Sequence, residues 1–269
     1  MSSDHKQFQD LLTNVGKFLE QQAELYGDFF LLHHQAGGDA SPGSAMTKRT
    51  QPADSGNDLF GQPDPVAPKG RSDQAVYPAE PWSEATDLDS LNSKICTCLK
   101  CSLGSTRTKF VFGVGNPKAD LVLVGEAPGA DEDLQGEPFV GRAGQLLNKI
   151  LEAINFRRED VYICNILKCR PPNNREPQPE EIALCEPYLW KQLELLEPKV
   201  ILCLGRVAAQ ALLKTSESLT SLRGRVHDYR GTKLIVTYHP AALLRNPNWK
   251  RPTWEDVQKV RKLYDELTK

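Results

Sequence analysis

The sequence predicts an α/β protein, a three-layer α/β/α sandwich built on a central four-stranded parallel sheet. Four short, β-rich apolar runs recur in its second part: "ADLVLVG" (119–125), "DVYICNIL" (160–167), "KVILCLG" (199–205) and "KLIVTYH" (233–239). Runs of this length are how strands buried on both faces read. Helical patterns separate them, and strand–helix alternation argues for a parallel sheet covered on both sides. Each run also ends at a glycine or polar position, where such folds bind ligands.

The elements follow in order. Residues 5–30 read as an amphipathic helix, with Phe8, Leu11, Leu12, Val15, Phe18 and Leu19 at helical spacing. That pattern suits packing on the body of the protein or docking to a protein partner. Residues 35–85 are rich in Gly, Pro, Ser, Ala and Asp, with few apolar side chains to offset the entropy of ordering them. They are expected to form a flexible linker. The expected organisation is therefore a helical segment over 1–34, a linker over 35–85 and one folded domain over 86–269. Within that domain, helices are expected at 143–154, 179–196, 206–213 and 254–267.

Composition sets outer bounds. The chain has 269 residues, 39% hydrophobic and 25% charged, which places it among ordinary globular proteins. It has no run of about 20 apolar residues, so no membrane helix is expected. The first residues, "MSSDHKQFQD", lack the layout of a secretory signal, so a cytosolic or similarly reducing compartment is expected. Residues 1–85 carry 6 Lys/Arg against 12 Asp/Glu, a balance of −6; residues 86–269 carry 27 against 23, a balance of +4. A mildly basic second part permits a nucleic-acid partner without demanding one.

All seven cysteines lie between Cys96 and Cys203. In a reducing compartment, such clustering points to metal ligation or catalysis before disulfides. Cys98 and Cys101 form a C-x-x-C pair, and Cys169 and Cys185 follow at a distance. Two near and two distant thiolates can make a tetrahedral site. Spacing alone leaves structural zinc and an iron–sulfur cluster both open. Cys164 and Cys203 fall inside expected strands and read as core. Cys96 competes with Cys98, and C-x-x-C spacing favours Cys98.

Four motifs stand in order: the C-x-x-C followed by "VFGVGNP", "GEAPGADEDLQGEPFVGRAG", "CNILKCRPPNNREP" with a later "CEPYL", and "YHPAALLR". Together they closely resemble the family 4 uracil-DNA glycosylases, over roughly residues 94–269. The resemblance implies hydrolysis of the bond between uracil and deoxyribose in DNA, leaving an abasic site. It implies a structural [4Fe-4S] cluster on Cys98, Cys101, Cys169 and Cys185. It also implies roles for single residues. Glu126 would stand near the sugar and the attacking water, with Asn174 as a second polar residue there. His239 would face uracil O2, Asn165 would read the uracil edge, and Phe139 would stack on the flipped base. Leu243 or Leu244 would wedge into the duplex, and Arg245 and Arg170 would contact phosphates. A related branch carries an inserted basic loop after the first motif and bonds covalently to DNA. Here "PFVGRAGQLL" runs on without insertion, so ordinary turnover is expected. Two other readings remain: a cluster-bearing DNA-binding or redox-sensing module without catalysis, and a glycosylase for another deaminated base. Which of Glu126, Glu132, Asp133 and Glu137 meets the water stays open at this level.

Overall fold

Apolar runs flanked by helices settle side by side, and a computed structural model of the chain shows this for all four. The structure describes residues 80–269; the expected N-terminal helix and most of the expected linker lie outside them. The first half comprises α1 (Leu88–Ile95), α2 (Leu103–Thr106), β1 (Val114–Gly115), β2 (Leu121–Gly125), α3 (Ala130–Gln135), α4 (Arg142–Ala153) and β3 (Tyr162–Asn165). The second comprises α5 (Pro179–Leu196), β4 (Val200–Leu204), α6 (Arg206–Leu213), α7 (Leu219–Leu222), β5 (Val226–Tyr229), β6 (Thr232–Thr237), α8 (Pro240–Arg245) and α9 (Lys250–Leu267). Short 3-10 turns stand at Pro81–Glu84, Arg158–Asp160, Pro172–Asn174 and Pro247–Trp249.

The sheet has six strands in the order β1-β3-β2-β4-β6-β5, not the expected four. The four expected strands form its parallel centre, and β1 and β5 add antiparallel edges. The edges escape the apolar-run criterion for physical reasons. β1 is two residues long, and β5 exposes Val226 and Asp228. Edge strands face water and need no continuous apolar run. β5 turns into β6 through Arg230 and Gly231, both left-handed at φ 52° and 86°, as a two-residue hairpin requires. The Gly231 N–H donates to Asp228 Oδ1 at 2.9 Å, closing that turn.

Period-2 alternation sends the sheet's side chains into two cores. Val122, Val124, Cys164, Ile201, Cys203, Leu234 and Val236 pack on one face with α5 and α6, through Leu189, Leu193, Ala208 and Leu212. Leu121, Leu123, Ile163, Val200, Leu202 and Ile235 pack on the other with α4 and α9, through Leu147, Leu151, Val257 and Val260. These are the three expected layers. α9 starts at Lys250, one turn earlier than expected. Pro252 is tolerated there because first-turn N–H groups lack intrahelical partners anyway. Among the described residues no helix is long and apolar enough to cross a membrane.

A third, smaller core involves residues that composition assigns to the linker. Trp82 and Ala85 are buried with Leu91, Ile95, Phe112 and Tyr188. The Trp82 ring meets Tyr188 edge-on at 4.9 Å, and its indole N–H donates to Glu80 at 2.9 Å. Folded structure thus extends upstream of residue 86, because one large aromatic outweighs the polar residues around it. A chain beginning at residue 86 should therefore be less stable than one beginning at residue 80, by about 3–5 kcal/mol, the usual cost of losing a buried aromatic. Equal urea midpoints would contradict this packing.

Candidate active site

The parallel strands end on one rim. Gly125 closes β2 and pairs with Asn165, which closes β3. Gly125 has no side chain to spare room for: a Cβ there would lie 2.3 Å from Asn165 Oδ1 and 2.7 Å from the Phe139 ring. The missing side chain lets an amide oxygen and an aromatic ring both approach this point. Asn165 is only 2% exposed. Among the described residues its Oδ1 has no hydrogen-bond partner. A buried, unpartnered acceptor costs about 1–3 kcal/mol, so its presence needs a reason.

Phe139 is buried and left-handed, at φ 54°. Arg158 holds this unusual turn from below, donating to the carbonyls of Pro138 and Phe139 at 2.5 and 3.2 Å. The Phe139 ring lies 5.4 Å from the His239 ring, tilted by 31°.

His239 follows β6 and caps α8. Its Nδ1 accepts from the Ala241 N–H at 3.1 Å, which leaves the ring proton on Nε2. Burial, reinforced by the positive charge of Arg245, pushes its pKa down to about 4. The ring is a neutral donor at pH 7.

Glu126 follows Gly125 and is half-buried. Burial raises its pKa, and nearby Glu176 raises it further, while Arg206 and Arg245 oppose this. Glu176 pairs with Arg206 at 2.5 Å. The other carboxylates of the same loop are engaged or turned away. Glu132 accepts from the N–H groups of Gly129, Val140 and Gly141 at 2.9–3.1 Å. Asp133 is buried and accepts from Thr108 N–H at 2.9 Å. Glu137 is exposed. Glu126 stands half-buried at the end of β2, where burial raises its pKa.

The remaining expected residues separate. Leu243 is buried at 1% exposure, whereas Leu244 is 47% exposed, so only Leu244 is available as a wedge. Arg245 is exposed beside it. Asn174 lies on an exposed turn, left-handed at φ 53°, and its Oδ1 accepts from Arg170 Nε at 2.7 Å. These two engage each other on the rim rather than reaching into the pocket.

On the opposite side of the β3 loop, Cys98, Cys101, Cys169 and Cys185 line one cavity, with Phe110, Leu184 and Tyr188. Among the described residues no group of three His, Cys, Asp or Glu converges tightly enough for a single ion. The thiols surround a space instead of meeting at a point. Each of three sulfurs already receives a donor: Tyr188 O–H on Cys98 (3.3 Å), Arg107 on Cys169 (3.4 Å) and Lys168 N–H on Cys185 (3.4 Å). Burial raises the Cys169 thiol and pushes Cys185 up to about 12. Thiolates there need compensating positive charge, which an iron–sulfur core supplies. The donor set fits such a group. Cys96 turns away, its Sγ directed to the Ser93 carbonyl at 3.6 Å. Cys164 and Cys203 are buried strand residues.

Several contributors have weak local signals. Arg107 and Arg158 act through contacts distant in sequence, which no short motif reveals. Lys168 was more legible, being a lysine inside the apolar stretch "CNILKC".

Comparison with known proteins places the chain in a class. A family model described as the uracil DNA glycosylase superfamily matches residues 112–258, and the chain belongs to that superfamily. Its similarity to type-4 members is higher than to type-5 members, at 43–49% against 33% identity. A type-4 uracil-DNA glycosylase of Archaeoglobus fulgidus is 49% identical over 184 residues, covering 65% of this chain and 92% of that protein. One from Thermotoga maritima is 44% identical over 178 residues, with 65% and 93% covered. One from Sulfurisphaera tokodaii is 43% identical over 185 residues, with 65% and 84% covered.

His239 gives a direct check. Its ring should titrate near pH 4 by NMR rather than at the ordinary 6.5. The unfolded chain takes up this proton at higher pH than the folded chain. The stability contributed by the neutral ring is therefore complete above pH 6.5 and lost as pH falls through about 4. A midpoint near 6.5 would show that the ring is not desolvated.

Proposed function

We propose that this chain hydrolyses the N-glycosidic bond of uracil in DNA, releasing free uracil and leaving an abasic site. This would be the first step of base excision repair of deaminated cytosine. The observation that carries the reading is the buried, unpartnered Asn165 Oδ1 against the Phe139 ring. An amide so placed accepts from uracil N3–H and donates to O4. Cytosine presents the reverse pattern, an acceptor and an amino donor, and leaves both groups unpaired.

The base must leave the helix to reach this pocket, which costs a few kcal/mol and least for a mispaired or unpaired base. Leu244 fills the gap in the stack, and Arg245 and Arg170 meet phosphates. The rings of Phe139 and His239 are too close for a base to lie between them. The base therefore lies across Phe139 with His239 at its edge. As the bond from sugar C1′ to uracil N1 breaks, its electron pair moves onto the uracil ring. The neutral His239 Nε2–H donates to O2 and stabilises that charge. Glu126, with its raised pKa, suits a general base: it takes a proton from water as the water oxygen bonds to C1′. Asn174 serves the sugar side only if its exposed turn moves inward.

Cys98, Cys101, Cys169 and Cys185 would hold a [4Fe-4S] cluster whose contribution is structural. It would join the segment before β1 to the loop after β3 and to α5. Residues 1–34 lie outside the family match, and their amphipathic pattern supports docking to a protein partner.

Against a non-catalytic module stands the retained cost of the Asn165 acceptor, which binding DNA through phosphates would not require. An assay on oligonucleotides each carrying one deaminated base tests the reading, with uracil expected as the released base. Glu126→Gln should slow release about 100-fold or more while DNA binding persists. Unchanged release would remove Glu126 from the chemistry. The purified chain should be brown with about four irons, and Cys169→Ser should lose the colour. A colourless chain holding one zinc would overturn the cluster.

A further inference from the structure

Beside His239 stands an aromatic stack that the proposed chemistry does not use. Tyr238 and Trp249 lie parallel, with centroids 4.7 Å apart and planes 4° apart. The Arg223 guanidinium sits 4.3 Å from the Tyr238 centroid. Tyr238 thus contacts both a second ring and a guanidinium. Trp249 stacks on Tyr238 and is itself 36% exposed. The stack is anchored in the core. Arg223 Nε donates to Asp256 at 2.7 Å, and buried Thr237 donates to the same carboxylate at 2.8 Å. Asn246 fixes the turn ahead of Trp249 by accepting from Asn248 N–H at 3.2 Å.

Position and charge point to an occupant. Trp249 follows α8 directly, and α8 carries Leu244, the other exposed apolar side chain of this region. The stretch "RNPNWKR" (245–251) holds Arg245, Lys250 and Arg251 and no carboxylate. A part-exposed aromatic already stacked on a second ring, in a stretch whose charges are cationic apart from the Arg251–Glu255 pair, matches a nucleobase on its phosphate backbone. An aromatic already held in place loses little entropy when a base stacks on it.

We propose that Trp249 is a stacking platform for a second base of the DNA, an unpaired neighbour of the flipped uridine. This rests on the uracil-excision reading for its DNA partner. In single strands every neighbour of the uridine is free to stack, so the platform favours unpaired DNA. In duplexes those neighbours stay stacked and the platform contributes less.

The test uses the full chain. Uracil-free oligo(dT) should quench the intrinsic tryptophan fluorescence, and Trp249→Leu should abolish most of the quenching. Leucine keeps an apolar cover on Tyr238 but offers no flat face. With single-stranded uracil substrate, Trp249→Leu should raise KM about fivefold or more, from the usual worth of one stacked base. The duplex KM should rise less, and Trp249→Phe should recover most of the loss. Undiminished quenching in Trp249→Leu, or equal KM increases on single and double strands, overturns the platform. Should Trp249→Leu fail to fold, the wild-type chain can be photocrosslinked to a single strand carrying 5-iodocytosine beside the uracil. An adduct at Trp249 supports the proposal, and adducts only elsewhere overturn it. The quenching experiment contains no uracil, so it reads the platform even if the wild-type chain releases no base.

Discussion

The Lys168 ammonium is buried completely, and much of the site is built around it. It donates to the Asn165 carbonyl at 2.8 Å and to the Gln192 side chain, which in turn donates to the Phe112 carbonyl at 3.0 Å. Burial alone lowers its pKa, while the sulfurs of Cys164, Cys185 and Cys169 hold it toward the charged form. A buried cation is costly unless its protons are bonded and negative charge is near. Here the Asn165 carbonyl and the Gln192 amide oxygen take its protons. The consequence is geometric. Residues 165–169 run from the proposed base reader to a cavity-lining cysteine within one fully buried stretch. The proposed base pocket and the cysteine cavity are two ends of the same short rod, and Lys168 fixes where the rod lies.

Other loops are tied to that rod by charge-assisted hydrogen bonds as well as by apolar packing and backbone bonds. Arg107 reaches Cys169 and the carbonyls of Cys96 and Cys98. The next residues, Thr108 and Lys109, donate to Asp133. The loop after β2 is thereby fastened to the cysteine segment. Glu132 organises the same loop internally. An acidic run beside the proposed DNA-binding surface looks unfavourable, yet two of its carboxylates are spent on backbone N–H groups inside the protein. Such bonds hold a loop in one shape where a solvated loop would sample many.

The parallel centre of the sheet was legible because its strands are buried on both faces and are therefore apolar throughout. The motifs at their ends were legible because Gly125, Asn165 and His239 each sit where an apolar run stops. β5 was not, because Val226 and Asp228 face water and the chain there reads as a loop. Trp82 was hidden by the polar composition around it, although a single buried aromatic sufficed to order that stretch. The distinction between Leu243 and Leu244 needs the orientation of a two-turn helix, which adjacent identical residues cannot reveal. Arg158 and Lys168 act across the fold. Sequence spacing carries almost no information about such contacts.

Phe139 adopts a left-handed backbone that few residues other than glycine enter without cost, and the Arg158 clamp keeps it there. Glycine would relieve the strain but remove the ring. If Phe139 carries the base as proposed, selection for thermal endurance and selection for a base-binding surface pull in opposite directions at this one residue. Breeding the protein for robustness alone would be expected to erode this position early, trading the aromatic for a relaxed turn and leaving a sturdier fold with nothing to hold a base.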